Sequence, residues 1–289
     1  GEGSINGPSP LFIVDGVPSG TGNNFNIKDI ESIEIIKDGS SAAIYGVGSA
    51  GGVIIITTKR GNPDEKVKID FSMLVGQHKA MKLPSLLNRD DYIKYKKEAL
   101  VNSGAAYPLE WDNPALVAQM NNTDWKDVMY SGKGIEQEYN LSATGGSKNS
   151  NYYISLNYNN QGGSFPNDFF TRYALRANSD FKVGKRIKIG ESIYLDRTTY
   201  RGSGSTDIWR ITPLVPVYDD TNPIGGWGRS GGGGGNPRGF TEVIKNYNYN
   251  ADFSGNIFAE IEIIKGLTFK TILSAGYNNY TQENSTSPY

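Results

Sequence analysis

Residues with the types and spacing needed for chemistry are few in this chain, and they do not converge. Gly46-Val47-Gly48-Ser49-Ala50-Gly51 matches G-x-G-x-x-G, which cradles a dinucleotide pyrophosphate when it follows a strand and opens a helix. Here it closes the helix-like run Ser40 to Gly46 and precedes the β-branched run Val53 to Thr58. The order is reversed, so the segment reads as a tight reversal where backbones approach closely. His78 is the single histidine, and no spaced co-ligand or base partner accompanies it, so it reads as a surface residue. Asp90-Asp91 stand where a helix should start, and carboxylates there complement the helix dipole. Asp219-Asp220 with Asn222-Pro223 has turn composition; a Ca²⁺ site would need further spaced oxygen ligands. There is no cysteine, which excludes a disulfide scaffold, a thiolate metal site and a thiol nucleophile. The expectation is a protein that is not an enzyme, with no catalytic residue, cofactor or metal.

The elements around these residues are β-rich. Gly contributes 36 and Tyr 18 of 289 residues, while 29 basic side chains balance 30 acidic ones. A basic excess would mark a nucleic-acid surface, and none is present, so no nucleic-acid partner is expected. No stretch reaches the roughly 18 to 20 apolar residues of a membrane helix. Membrane β-barrels share this profile, because their strands are apolar on one side only.

Two regions separate by pattern. Within residues 1–62, Leu11-Phe12-Ile13-Val14 is a short strand stopped by the turn signal Asp15-Gly16-Val17-Pro18. Glu31 to Lys37 reads as a second strand closed by Asp38-Gly39, Ser40 to Gly46 as one or two helical turns, and Val53 to Thr58, after Gly51-Gly52, as a third strand. Residues 63–289 instead show seven long period-2 segments beginning near Val67, Ile135, Tyr152, Arg172, Ile187, Ala251 and Leu267. Each has an apolar and a polar side, which suits either a soluble sheet over a core or a lipid-facing barrel with a wet lumen. Long or medium connections (79–134, 160–168, 201–248) alternate with tight ones (145–150, 184–185, 265–266), the asymmetry of outer-membrane barrels. Tyr139, Tyr158, Tyr173, Tyr200, Tyr249, Tyr277 and Tyr280 near strand ends suit interfacial girdles, and ordinary half-buried sheet tyrosines equally well.

The segments PLFIVDGVP (Pro10 to Pro18), DIESIEIIKDGSSAAIYG (Asp29 to Gly46) and GGVIIITTKRG (Gly51 to Gly61) resemble the plug of TonB-dependent outer-membrane receptors, in the SusC/RagA variant of Bacteroidetes. Leu87 to Ala99 and Pro213 to Asp219 are similar to a first-loop helix and an inter-strand segment of that family. The resemblance implies a mainly β fold: a transmembrane antiparallel barrel of about 22 strands, about seven of them here, around an internal α/β plug. Residues 1–62 would be the C-terminal half of the plug, with structural turns at Asp15, Gly16, Asp38, Gly39, Gly46, Gly51 and Gly52. Residues 63–289 would be the first third of the barrel, with long extracellular loops at 79–134 and 201–248. Seven strands cannot close, so the remaining part of the same barrel polypeptide is an expected partner.

The family further implies energy-coupled nutrient import across the bacterial outer membrane, an oligosaccharide first and a peptide second. A SusD-like surface lipoprotein would act as lid, TonB with ExbB and ExbD would supply the pull, and lipid with lipopolysaccharide would surround the wall. A structural or secretion-associated scaffold is the alternative, and a soluble carbohydrate-binding or adhesion protein the third reading. Polar wall residues Glu136, Glu138, Arg172, Arg176, Glu260 and Glu262 could wedge the plug, while each taken singly reads more readily as solvated lumen lining. Loop aromatics Trp209, Tyr218 and Trp227 are candidates for stacking on sugar rings or packing on the lid, and packing within the loop core suits them at least as well. Gly231 to Gly235 reads as a flexible tip.

Overall fold

The computed structural model describes residues 9–19, 25–202, 208–223, 225–229 and 235–287. Two sheets form, one on either side of residues 59–67. The smaller contains β1 (Leu11–Val14), β2 (Val17–Ser19), β3 (Ile30–Ile36) and β4 (Val53–Thr58), in the order β2-β1-β4-β3. β1 lies parallel to β4, while β2 and β3 are antiparallel to their neighbours. Its core is Ile13, Ala42 and Val53, with Leu11, Ile36, Tyr45 and Ile55 packed around them. Ala42 comes from the short helix α1 (Gly39–Ala42).

One detail departs from expectation. The turn is confined to Asp15-Gly16, both at positive φ (48° and 86°), and Val17–Ser19 goes on as a strand. Asp-Gly readily adopts two positive φ values, which is the geometry of a two-residue hairpin. Pro18 is tolerated because β2 is an edge strand, where its missing N–H costs no ladder bond.

The larger sheet is a seven-stranded antiparallel meander in sequence order: β5 (Lys68–His78), β6 (Gly134–Ser147), β7 (Ser150–Gly162), β8 (Phe169–Val183), β9 (Ile187–Arg201), β10 (Ile244–Ile264) and β11 (Leu267–Thr286). All seven alternating segments are therefore strands, of 11 to 21 residues. β10 and β11 run well beyond the apolar alternation, because Tyr247 to Asn250 keep pairing with Glu283 to Tyr280. The loop before β10 is correspondingly shorter, 202–243. Since the strands are antiparallel and consecutive, connections 79–133, 163–168 and 202–243 share one end, and 148–149, 184–186 and 265–266 the other. Gly184 and Gly266 supply the positive φ (66° and 87°) that two of the tight turns require. The sheet does not close on itself: β5 and β11 are its edges.

The two faces of this wall are opposite in character. Phe71, Leu141, Leu156, Leu195 and Tyr277 are exposed on one face, and among the described residues no second layer covers them. Their neighbours Asn140, Tyr153, Asn157, Arg176, Asn178 and Asp196 are buried on the other.

The long loops add α2 (Arg89–Asn102), α3 (Pro114–Gln119), α4 (Trp125–Tyr130) and α5 (Pro237–Val243). Asp90-Asp91 do open a helix: the Asn88 side chain accepts from the Asp91 N–H at 2.9 Å as N-cap. No helix among the described residues is long and apolar enough to cross a membrane.

Candidate functional site

The small sheet is held against the buried polar face of the wall at two places. The first is a single 3₁₀ turn, Ile27–Asp29. Asn26 caps it by accepting from the Lys28 N–H (3.0 Å), and its amide also donates to Asn140 Oδ1 of β6 (2.8 Å). Asp29, 2% exposed, accepts from Tyr153 Oη (2.8 Å) and Ser155 Oγ (2.6 Å) of β7. Its other oxygen lies 3.4 Å from Arg176 Nε of β8, a buried ion pair. The Arg176 guanidinium is also stacked over the Tyr194 ring, 4.8 Å from its centroid. Burying two charges is costly unless hydrogen bonds and close pairing compensate; here two hydroxyls and an aromatic face contribute.

The second attachment lies where the chain leaves β4. Asp15 accepts from the Thr58 N–H (2.9 Å), Thr58 Oγ1 (2.6 Å) and Ser192 Oγ of β9 (3.1 Å). Asn178 donates to Thr58 Oγ1 (2.8 Å) and the Lys59 carbonyl (2.6 Å), and Asn151 to the carbonyls of Arg60 (2.9 Å) and Gly61 (3.0 Å). Arg60 pairs with Asp180 at 2.8 Å, and Lys188 reaches the same carboxylate at 3.3 Å. The Phe258 ring closes this cluster, with Arg60, Lys188 and Lys270 at 5.2, 5.5 and 4.9 Å from its centroid. It lies across Gly190, its cross-strand partner: a Cβ there would come within 2.5 Å of the ring and of Asp180 Oδ1.

Of the wall residues that could wedge the plug, Arg176 is the one that pairs with a described plug residue. Glu136 lies at the far end of β6, where it pairs with His78 (3.0 Å) and accepts from Gln161 (3.3 Å). The contacts that matter come mainly from Asn, Ser and Tyr, because a short uncharged side chain loses less solvation than a carboxylate when a neighbouring domain covers it. Asn151 and Asn178 mark the polar side of β7 and β8 in the sequence without marking which partner they meet.

The glycine and aspartate turns occupy the small sheet as follows. Asp38 accepts from the Ser41 N–H (2.8 Å) and Ser40 Oγ (2.7 Å), which pull its carboxyl down to about 2. Gly39 opens α1 behind it. Gly46 (φ 84°) joins two 3₁₀ turns, Ala43–Tyr45 and Val47–Ser49. Gly51 is exposed ahead of β4, and Gly52 (φ 93°) sits where a Cβ would meet the Ile36 carbonyl at 3.0 Å. The G-x-G-x-x-G segment thus leads into a strand and opens no α-helix.

At the long-loop end, three connections share one apolar core: Trp125 and Met129 of α4, then Ile208, Ile211 and Val215, with Phe165 packed against them. Trp125 Nε1 donates to the Thr212 carbonyl (3.2 Å) and Thr123 Oγ1 to that of Val215 (2.7 Å). Fully buried Asn236 caps α5 and donates to the Val217 carbonyl (2.9 Å). Trp209 and Tyr218 are exposed at this end, but Trp227 is 8% exposed. Its ring packs 4.7 Å from that of Tyr218, so it supports Tyr218 and offers little free surface itself. Asp219 accepts from the Thr221 N–H and hydroxyl, which hold its carboxyl below the usual range and commit it to a turn. Of the glycine tip, 231–234 lies outside the described residues.

Comparison with known proteins agrees with this architecture. Residues 2–53 match the TonB-dependent Receptor Plug Domain family. TonB-dependent receptor P26 of Formosa agariphila is 30% identical across 99% of this chain and 29% of its own length. TonB-dependent receptor SusC of Bacteroides thetaiotaomicron is 28% identical across 77% of this chain and 23% of its own. The chain therefore spans less than a third of these curated relatives. A solved RagAB peptide transporter superposes with a TM-score of 0.81 at 21% identity, covering 98% of this chain and 36% of that one.

Proposed function

We propose that this chain, which matches the TonB-dependent Receptor Plug Domain family at residues 2–53 and TonB-dependent receptors along most of its length, is part of a SusC/RagA-type receptor and forms the late plug and first barrel strands of an outer-membrane nutrient importer, not an enzyme. One observation carries this reading: the plug turn at Asp29 and the exit at 58–61 are tied to the polar face of a wall whose other face is apolar and uncovered. A wet lumen stopped by a folded domain and a lipid-facing exterior account for both faces at once. Many short polar bonds hold such a stopper yet can be exchanged for water when it is pulled. TonB, energised through ExbB and ExbD, would supply the pull, and a SusD-like lipoprotein would cover the long-loop end.

The proposed cargo is an oligosaccharide. Exposed Trp209 and Tyr218 at the loop end support it, since flat aromatic faces stack on sugar rings. A peptide is the second reading, favoured by the fold shared with a peptide transporter. Growth and labelled-cargo uptake by cells lacking this receptor, and by cells lacking TonB, test the proposal. Loss in both is expected. Uptake that survives both deletions while the surface complex falls apart would favour the scaffold role instead.

A further inference from the structure

On the outward face of the wall, cross-strand partners line up in rows that change character abruptly. Phe71, Leu141, Leu156, Leu175 and Leu195 form one row. The next row toward the long loops is Met73, Tyr139, Tyr158, Tyr173 and Arg197. The row beyond is polar in its middle: Gln137, Asn160, Thr171 and Thr199. The three tyrosines are in contact, with centroids 6.0 and 5.0 Å apart. Below them a groove of about 540 Å³ is lined by Phe71, Leu141, Leu156, Tyr158 and Leu175, and Arg197 stands at its edge. Arg197 is exposed, and among the described residues no carboxylate forms an ion pair with it.

From this we propose that the groove is a binding site for an acidic membrane lipid, with an acyl chain against the leucines and tyrosines and a phosphate on Arg197. A guanidinium held where an apolar belt gives way to polar residues needs a counter-charge or a path to water. Its planar fork matches two phosphate oxygens, as a lysine ammonium does not. Stacked tyrosines beside it present apolar flanks to a chain and hydroxyls to a headgroup. The long loops lie on the same side, so the site belongs to the extracellular leaflet. The inference rests on the outer-membrane reading above.

The test is native mass spectrometry of the whole purified receptor, titrated with lipid A carrying its phosphates, with dephosphorylated lipid A and with inorganic phosphate. Phosphorylated lipid A should be retained at least tenfold more than the dephosphorylated form, and inorganic phosphate should neither bind nor compete. Arg197→Gln should abolish that preference, Arg197→Lys should keep part of it, and migration of unboiled samples in gels checks that each barrel is folded. Equal retention of both lipids by the native receptor would overturn the proposal without any variant, as would competition by free phosphate. An unchanged preference in Arg197→Gln would mean that Arg197 reaches water instead. None of these outcomes bears on transport, whereas a receptor that needs no detergent for extraction would remove the membrane reading itself.

Discussion

The two faces of the seven-stranded wall share every backbone hydrogen bond and differ only in what covers them. On the inner face, short polar side chains are buried and bonded to the plug: Asn178 and Ser155 are 1% and 2% exposed. On the outer face, large apolar side chains are left open: Phe71 is 65% and Leu156 50% exposed. In a soluble sandwich the assignment would be the reverse. The contrast teaches that this period-2 pattern separates a face covered by the small domain from one left open, as the proposed lumen and hydrocarbon would require.

The sharpest way to break the comparison is on the inner face. Asp29→Ala would leave Arg176 buried without its carboxylate, and losing one partner of such a pair costs about 3–5 kcal/mol. The expected result is a loosely seated plug, seen as faster amide exchange across residues 27–30 with the wall still protected. An unchanged exchange rate would mean the cluster is solvated lining only. On the outer face, Leu175→Arg should destabilise the barrel by about 2–4 kcal/mol in urea titrations in phospholipid vesicles, while Thr171→Arg, nearer the polar boundary, should cost about 0–1 kcal/mol. Equal costs at both positions would deny a depth-dependent lipid environment.

A smaller effect is expected at one crowded backbone position of the inner face. Gly190→Ala forces a Cβ against the Phe258 ring and Asp180, an overpacking cost of about 1–3 kcal/mol. It should appear as a lowered thermal midpoint and a loosened 59–61 exit. The smallest lies in the plug, away from the wall. Asp38 is held near 2 against an ordinary value of 3.8, so its contribution is fully present above about pH 4 and is lost as pH falls through about 2. Protection of the Ser41 amide should fade over that window, and Asp38→Asn should remove the pH dependence.

Much of the wall was legible because alternation is local: Leu141, Leu156 and Leu175 declare their face by their neighbours two residues away. The turn at Asp15-Gly16 was legible from composition, but Val17–Ser19 was not, since three residues containing a proline carry no strand signal. The residues that join plug to wall were mostly missed. Asn26, Asp29, Tyr153 and Asn178 lie more than a hundred positions from their partners, and nothing local marks which polar residue will meet another element. For Trp227 the sequence leaves a surface and a loop-core role open, and the fold buries it with its ring packed on Tyr218 across a turn.

By itself the sequence determined the number of wall strands, their two-sidedness and the alternation of long and tight connections, because each is set by side-chain period and turn residues within a few positions. Only the tertiary structure decided that β10 and β11 continue past their apolar stretch, that three loops share one core, and that Asp29 and Arg176 meet out of water. Those outcomes rest on long-range pairing and on which polar groups find partners when water is excluded, and neither is written in any short stretch of chain.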